Sequence, residues 1–281
     1  MKNVLNRREG VPVLPALLST LLAAVLKSPI RIFQLLLLLA TVVFYFIAEA
    51  GTTSAEQPIT HGQVAVHDGP GVQRAWYACP TERYPHGVLG DTIEGGCLMA
   101  RSADGTLLEI QLDDSAVFED TTPRLADMDG DGQTDIVTVR SGASVGAALV
   151  IYGLSDGELK EIAATPAIGT ANRWLAPAGI ADFDGDGTID IAYVETPHLG
   201  GLLRIWSMVD GTFSEIASMR GFSNHSIGES RVSLSRLLDY NKDGITDLAL
   251  PTFGRGYIAI VSMVPTLDVI ATQAFDHSFF N

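Results

Sequence analysis

A nine-residue acidic loop occurs three times in this chain, and each copy runs straight into an apolar, strand-like stretch. The copies are Asp127-Met128-Asp129-Gly130-Asp131-Gly132-Gln133-Thr134-Asp135, Asp182-Phe183-Asp184-Gly185-Asp186-Gly187-Thr188-Ile189-Asp190 and Asp239-Tyr240-Asn241-Lys242-Asp243-Gly244-Ile245-Thr246-Asp247. Their first residues, 127, 182 and 239, are 55 and 57 positions apart. Carboxylates or an amide stand at positions one, three, five and nine. A glycine holds position six, where a loop wrapped around a cation turns sharply. A chain that repeats loop and strand at such a period is built from stacked supersecondary units.

A second marker keeps step with the first. Asp-Gly pairs at 104, 156 and 210 each lie between two apolar runs, the signature of a tight β-hairpin. Residues 257–261 and 267–270 fill the same slot a fourth time. Each unit therefore reads as strand, acidic loop, strand, loop, strand, Asp-Gly turn, strand. In the third unit the strands are expected near 174–181, 191–195, 202–208 and 213–219. Four short antiparallel strands per unit predict an all-β fold, a β-propeller built from about four four-stranded blades. An open array of blades, or a ring completed by a second chain, is the alternative. The first unit departs from the pattern. Its 80–87 segment has one carboxylate, Glu82, and two prolines, so no cation is assigned there.

The loops carry hard oxygen donors. The first offers Asp127, Asp129, Asp131, the carbonyl of Gln133 and Asp135. The second offers Asp182, Asp184, Asp186, the carbonyl of Thr188 and Asp190. The third offers Asp239, Asn241, Asp243, the carbonyl of Ile245 and Asp247. Six to eight oxygens in irregular geometry suit Ca2+, up to three ions; Mg2+ prefers to keep water, and zinc calls for the His or Cys that these loops lack. The twelfth positions, where an EF-hand needs Glu, are Thr138, Tyr193 and Leu250, so this is no helix–loop–helix sensor.

On these three segments the chain resembles the FG-GAP (VCBS-type) repeats of the integrin α-subunit N-terminal propeller. The resemblance spans about 72–281. It implies a propeller whose calcium loops join the first two strands of a blade. Members of the family range from adhesion modules to sugar-acting enzymes, so function does not transfer with the fold.

The face opposite the acidic loops is expected to gather the unrepeated residues Arg173, Trp174, Glu195, His198, Asn224, His225 and Arg231, with Arg124 nearby. Such a set suits an acidic or sugar-like ligand. The plainer reading is ion pairs, a core tryptophan and loop-capping histidines. No H-E-x-x-H or P-loop motif is present, and no catalytic residue is assigned.

Charge excludes one class of partner. Residues 1–50 hold five basic and two acidic residues, which leaves 13 Lys/Arg against 31 Asp/Glu in the rest. A body that acidic repels a nucleic-acid backbone. Residues 33–48 are apolar except for Gln34 and Thr41, follow Lys27 and Arg31, and run into the small-x-small site Ala48-Glu49-Ala50. Residues 1–50 thus read as a signal peptide or an N-terminal hydrophobic helix anchoring the chain. Residues 51–71 read as a linker, and 72–281 as the repeat domain. Both N-terminal readings export the body to the periplasm or the cell exterior, where Cys79 and Cys97 can form a disulfide or remain two buried thiols. The expected role is an envelope binding or scaffolding module with a protein or glycan ligand, and possible membrane attachment through 33–48. The alternative is an envelope enzyme or lectin-like protein acting on carbohydrate.

Overall fold

The computed structural model describes residues 57–232 and 234–281. The signal or anchor reading of 1–50 lies outside the described residues. Among them, no helix is long and apolar enough to cross a membrane.

The described chain is all-β, apart from a short 3-10 helix at His277–Phe280. Its strands form antiparallel meanders, one per sequence repeat. The first is β2 (Val72–Thr81), β3 (Glu94–Ser102) and β4 (Leu107–Gln111), with the two-residue β1 (Ala65–Val66) on the free edge of β2. After β5 (Ala116–Phe118), the second is β6 (Arg124–Ala126), β7 (Asp135–Gly142), β8 (Gly146–Ser155) and β9 (Glu158–Ala164). The third is β10 (Leu175–Ala181), β11 (Asp190–Glu195), β12 (Leu202–Val209) and β13 (Thr212–Arg220). The fourth is β14 (Arg236–Leu238), β15 (Asp247–Pro251), β16 (Tyr257–Ser262) and β17 (Asp268–Ala274). The third-unit strands lie within a residue or two of their expected bounds.

One departure from four separate sheets is instructive. The first two units merge into a single nine-stranded sheet through β5, which pairs with β3 at Gly95 and with β7 over three residues. The junction needs a glycine. A Cβ on Gly95 would sit 2.9 Å from the Cβ of Tyr77 and 3.4 Å from that of Phe118. Without it, the rings of Tyr77 and Phe118 stack at 5.4 Å.

Neighbouring units pack face to face, which explains the composition of their strands. Val72, Tyr77 and Leu98 of the first unit meet Ile136, Val150 and Tyr152 of the second. Val139, Leu149 and Ile151 meet Leu175, Ile191 and Tyr193 of the third. Phe183, Leu203 and Ile205 meet Leu248, Leu250 and Val261 of the fourth. A sheet covered on both faces reads as a continuous apolar run, as β8 does. The last strand of each unit lies at a sheet edge and alternates, as in β17. The outer face of the fourth unit packs under Phe275, Phe279 and Phe280, with the Arg236 guanidinium 5.3 Å from the Phe279 ring.

The segment expected to be a linker is packed on the body over its described part. Ile59 is buried against the first unit, and its N–H donates to Tyr77 O at 2.9 Å. Cys79 and Cys97 form a disulfide across β2 and β3, with Cα atoms 5.3 Å apart. Both cysteines are thus oxidised, and the two-thiol alternative falls away.

Candidate metal loops and a candidate ligand pocket

The three acidic loops fold alike because each is wired by its own aspartates. In the first, Asp127 accepts the N–H groups of Gly130 and Gly132, and Asp131 accepts that of Gln133 at 2.7 Å. In the second, Asp182 accepts from Gly185 and Gly187, and Asp186 from Thr188 at 2.7 Å. In the third, Asp239 accepts from Gly244 and Asp243, and Asp243 from Ile245 at 2.8 Å. The sixth-position glycines have φ of 85°, 89° and 89°, a left-handed turn that a side chain would strain. The ninth-position aspartates reach back to the second loop residue: Asp135 to Met128, Asp190 to Phe183, Asp247 to Tyr240.

That wiring leaves carboxylate oxygens converging. Oxygens of Asp127, Asp129 and Asp135 lie within 4.8 Å of one another, as do those of Asp182, Asp184 and Asp190. Asp190 and Asp247 are buried, and each keeps one oxygen without a protein hydrogen bond, although the Ser207 hydroxyl sits close enough to Asp190 to favour its ionised form. Burial, with repulsion from loop neighbours, pushes Asp135 up to about 7 and Asp190 to about 6. Orphaned buried oxygens beside further carboxylates fit a hard divalent cation. The third loop is poorer: Asn241 replaces a carboxylate and its Nδ2 donates to Asp243. Glu109 lies beside Cys79 and Cys97, but their sulfurs are consumed in the disulfide and offer no ligand.

A second site lies at the other end of the strands. β10 ends in the second acidic loop and begins at Leu175, paired with Glu195, where the chain turns through Thr196 and His198. There a cavity of about 140 Å3 is lined by His86, Arg173, Trp174, Thr196, His198 and Ile227, among others. The loop bearing His86 is tied to the 172–174 crossing: the Asn172 N–H donates to Tyr84 Oη at 3.0 Å. Trp174 is core, its Nε1 donating to Glu119 O at 2.8 Å.

Two histidine arrangements meet at this cavity. His225 Nε2 faces the Glu229 carbonyl at 2.8 Å, so it carries the hydrogen and leaves Nδ1 to accept from His198 Nε2 at 3.0 Å. Burial pushes His225 down to about 4 and lowers His198, so both are neutral near pH 7. On the other wall, His86 Nδ1 lies 2.5 Å from Oε1 of the fully buried Glu119, whose Oε2 accepts from Ser141 Oγ. Burial pushes the Glu119 carboxyl up, opposed by the bonds from His86 and Ser141.

Of the expected ligand-face residues, the fold brings Arg173, Trp174 and His198 to one cavity and sets His225 directly behind them. Glu195 instead pairs with Arg204 at 2.6 Å on the neighbouring strand. Arg231 donates to the Phe280 carbonyl and to Asn281, away from the cavity. Asn224 is buried, its Nδ2 holding the carbonyls of Ala176 and Pro177. Arg124 pairs with buried Asp120. His86 and Glu119 were not expected. Their sequence separation of 33 carries no motif; the two prolines and the single carboxylate of the 80–87 segment signalled only that the first loop is unlike the others.

Residues 127–193 and 182–250 match the family described as FG-GAP-like repeat. Residues 127–250 carry FG-GAP-like repeats. Each match starts at one acidic loop and runs through the next, so the two overlap on the second loop. No curated protein matches the chain. Among solved structures it is similar to the exotype rhamnogalacturonan lyase YesX, with 13% identity and a TM-score of 0.44 over 75% of this chain and 43% of that one. It is similar to the rhamnogalacturonan lyase YesW, with 14% identity and a TM-score of 0.38 over 71% of this chain and 44% of that one. It is also similar to Saccharomyces cerevisiae Sqt1, with 9% identity and a TM-score of 0.37 over 76% and 62% of the two chains. The chain thus spans less than half the length of either lyase.

Proposed function

We propose that this FG-GAP-like repeat chain is an exported, calcium-stabilised propeller-type module of about four blades that binds or scaffolds a protein or glycan ligand at the cell envelope. The observation that carries the calcium part is the threefold recurrence of one hydrogen-bond net, with a buried carboxylate oxygen left over in the second and third loops. Calcium would be held by Asp127, Asp129, Asp131, Gln133 and Asp135 in the first loop and by the matching residues in the other two. When bound, it supplies positive charge that lets buried carboxylates stay ionised. The chain's own residues do the rest: the glycines set the turn, and the closing aspartates anchor it to the strand that follows. Repetition argues for a structural ion, since one unique active site needs no three copies. The Cys79–Cys97 disulfide supports an oxidising compartment.

The test is thermal melting of the full chain with calcium and with a chelator. An ion that binds only the folded state at a hundred times its Kd adds about 2.7 kcal/mol per site. A chelator should therefore lower the melting temperature by several degrees. Identical melting in both conditions would sink the calcium reading.

A further inference from the structure

The cavity at His86 and Arg173 carries a more specific reading of how a ligand is bound, and it rests on the proposal that this module binds a ligand. Arg173 lines the cavity, and among the described residues it makes no ion pair; its guanidinium donates only to the Asn172 carbonyl, at 3.0 Å. Arg83, Arg124, Arg140 and Arg204 are matched to carboxylates, whereas Arg74, Arg101, Arg220, Arg231, Arg236 and Arg255 form no ion pair among the described residues either; Arg173 differs from these in lining this cavity. In so acidic a body, a cavity arginine without a carboxylate partner marks where an anion is accepted and not repelled.

The second group is His86. Glu119 is wholly buried and holds Nδ1, while Ser141 donates to its other oxygen. An ionised Glu119 places the hydrogen of a neutral His86 ring on Nδ1, and Nε2 is then the nitrogen left to accept a hydrogen bond. His86 is fixed further by the edge of Tyr84, whose ring centroid lies 6.0 Å away. The cavity thus joins a cation with a fixed hydrogen-bond acceptor, against the apolar rim residues Leu199 and Ile227. At about 140 Å3 it is smaller than the roughly 300–1,000 Å3 typical of drug-sized sites, so one small molecule or one residue of a larger one fills it.

We propose that this cavity binds a small hydroxycarboxylate, with Arg173 holding the carboxylate and His86 Nε2 accepting a hydrogen bond from an adjacent hydroxyl. That chemistry belongs to free hydroxy acids and to the uronate units of glycans alike.

The experiment titrates the full chain, with calcium present, against lactate, glucuronate and glucose by calorimetry. Binding of either acid, with glucose at least about tenfold weaker, supports the proposal; lactate alone points to a free acid, and glucuronate alone to a uronate. Arg173→Met should weaken the acid about tenfold, the size expected when a charge-assisted bond worth about 1.4 kcal/mol is lost. Its side chain is at the rim, so melting should stay unchanged. His86→Ala should also weaken the acid, because the hydroxyl loses its acceptor; if that variant does not fold, Arg173→Met decides alone. Equal binding of glucose and acid, no binding of either acid, or full affinity in Arg173→Met overturns the proposal. A glycan screen on the wild type and Arg173→Met separates the two levels. A captured glycan that Arg173→Met loses, without binding of either acid, refutes the ligand class but keeps the face; no glycan sensitive to Arg173→Met refutes both.

Discussion

The Asp190 carboxylate accepts the backbone N–H of Phe183 at 3.0 Å. The bond closes the acidic loop and also fixes where β11 begins, because Asp190 is the first residue of that strand. Its second oxygen is buried with no hydrogen bond from the protein. One residue therefore joins the loop's chemistry to the sheet's register.

The three loops should differ in affinity. The first two each bring three carboxylates within 4.8 Å, whereas the third has Asn241 at that position and Lys242 beside it. Calorimetric calcium titration should resolve two tighter sites and one weaker. Asn241→Asp should bring the third up to the others. Three equal sites in the wild type would count against this ranking.

Glu94 should make the fold less stable in alkali. It is 1% exposed, neither oxygen has a hydrogen bond, and burial, with Glu119, Asp91 and Asp120 nearby, pushes it up to about 9. A carboxyl raised in the folded state contributes stability that is complete below its unfolded value near 4.5 and is lost as pH rises towards 9. Glu94→Gln should therefore raise stability by about 4–5 kcal/mol at pH 8 and change little at pH 4. Denaturant unfolding at both pH values reads the difference; equal effects at the two would contradict it.

His225 acts with the opposite sign. Burial, with His198 and Arg255 nearby, pushes it down to about 4, opposed by its bond to the Glu229 carbonyl. A histidine held neutral contributes stability that is present above its unfolded value of 6.5 and is lost as pH falls towards 4. Between those values wild type should lose about 2–3 kcal/mol through this residue. His225→Asn should flatten that part of the unfolding curve. An unchanged slope would show that His225 does not titrate there.

Reducing the Cys79–Cys97 bridge should also be visible. The cysteines are 18 residues apart, and closing a loop of about that length is worth about 3 kcal/mol in the unfolded chain. For a body of this size the expected drop in melting temperature is about 6–12 °C. Melting of the full chain with and without reductant measures it, and a Cys79→Ser, Cys97→Ser double variant should match the reduced protein.

The acidic loops, their spacing and the strands around them are written locally in the sequence. Loop and strand depend on residues within about ten positions of one another: the glycine at position six, the aspartate at nine, the Asp-Gly turn, the apolar runs. Contacts at that range survive in a linear reading, which is why Asp190 could be placed at the head of a strand before any fold was known. The merging of the first two units through β5 could not. It depends on Gly95 being bare enough to let Phe118 reach Tyr77, a meeting of residues 41 positions apart. The pocket is of the same kind. Trp174 and His198 were legible as unrepeated residues on one face, yet Glu195 and Arg231, equally legible, turned to partners elsewhere. His86 gained its role only from Glu119, buried by the packing of the first two units. Sequence alone determined the repeat and its acidic loops, because their hydrogen bonds close within each loop. Tertiary structure decided which side chains share the opposite face, because there the partners are set by how neighbouring sheets bury one another's ends.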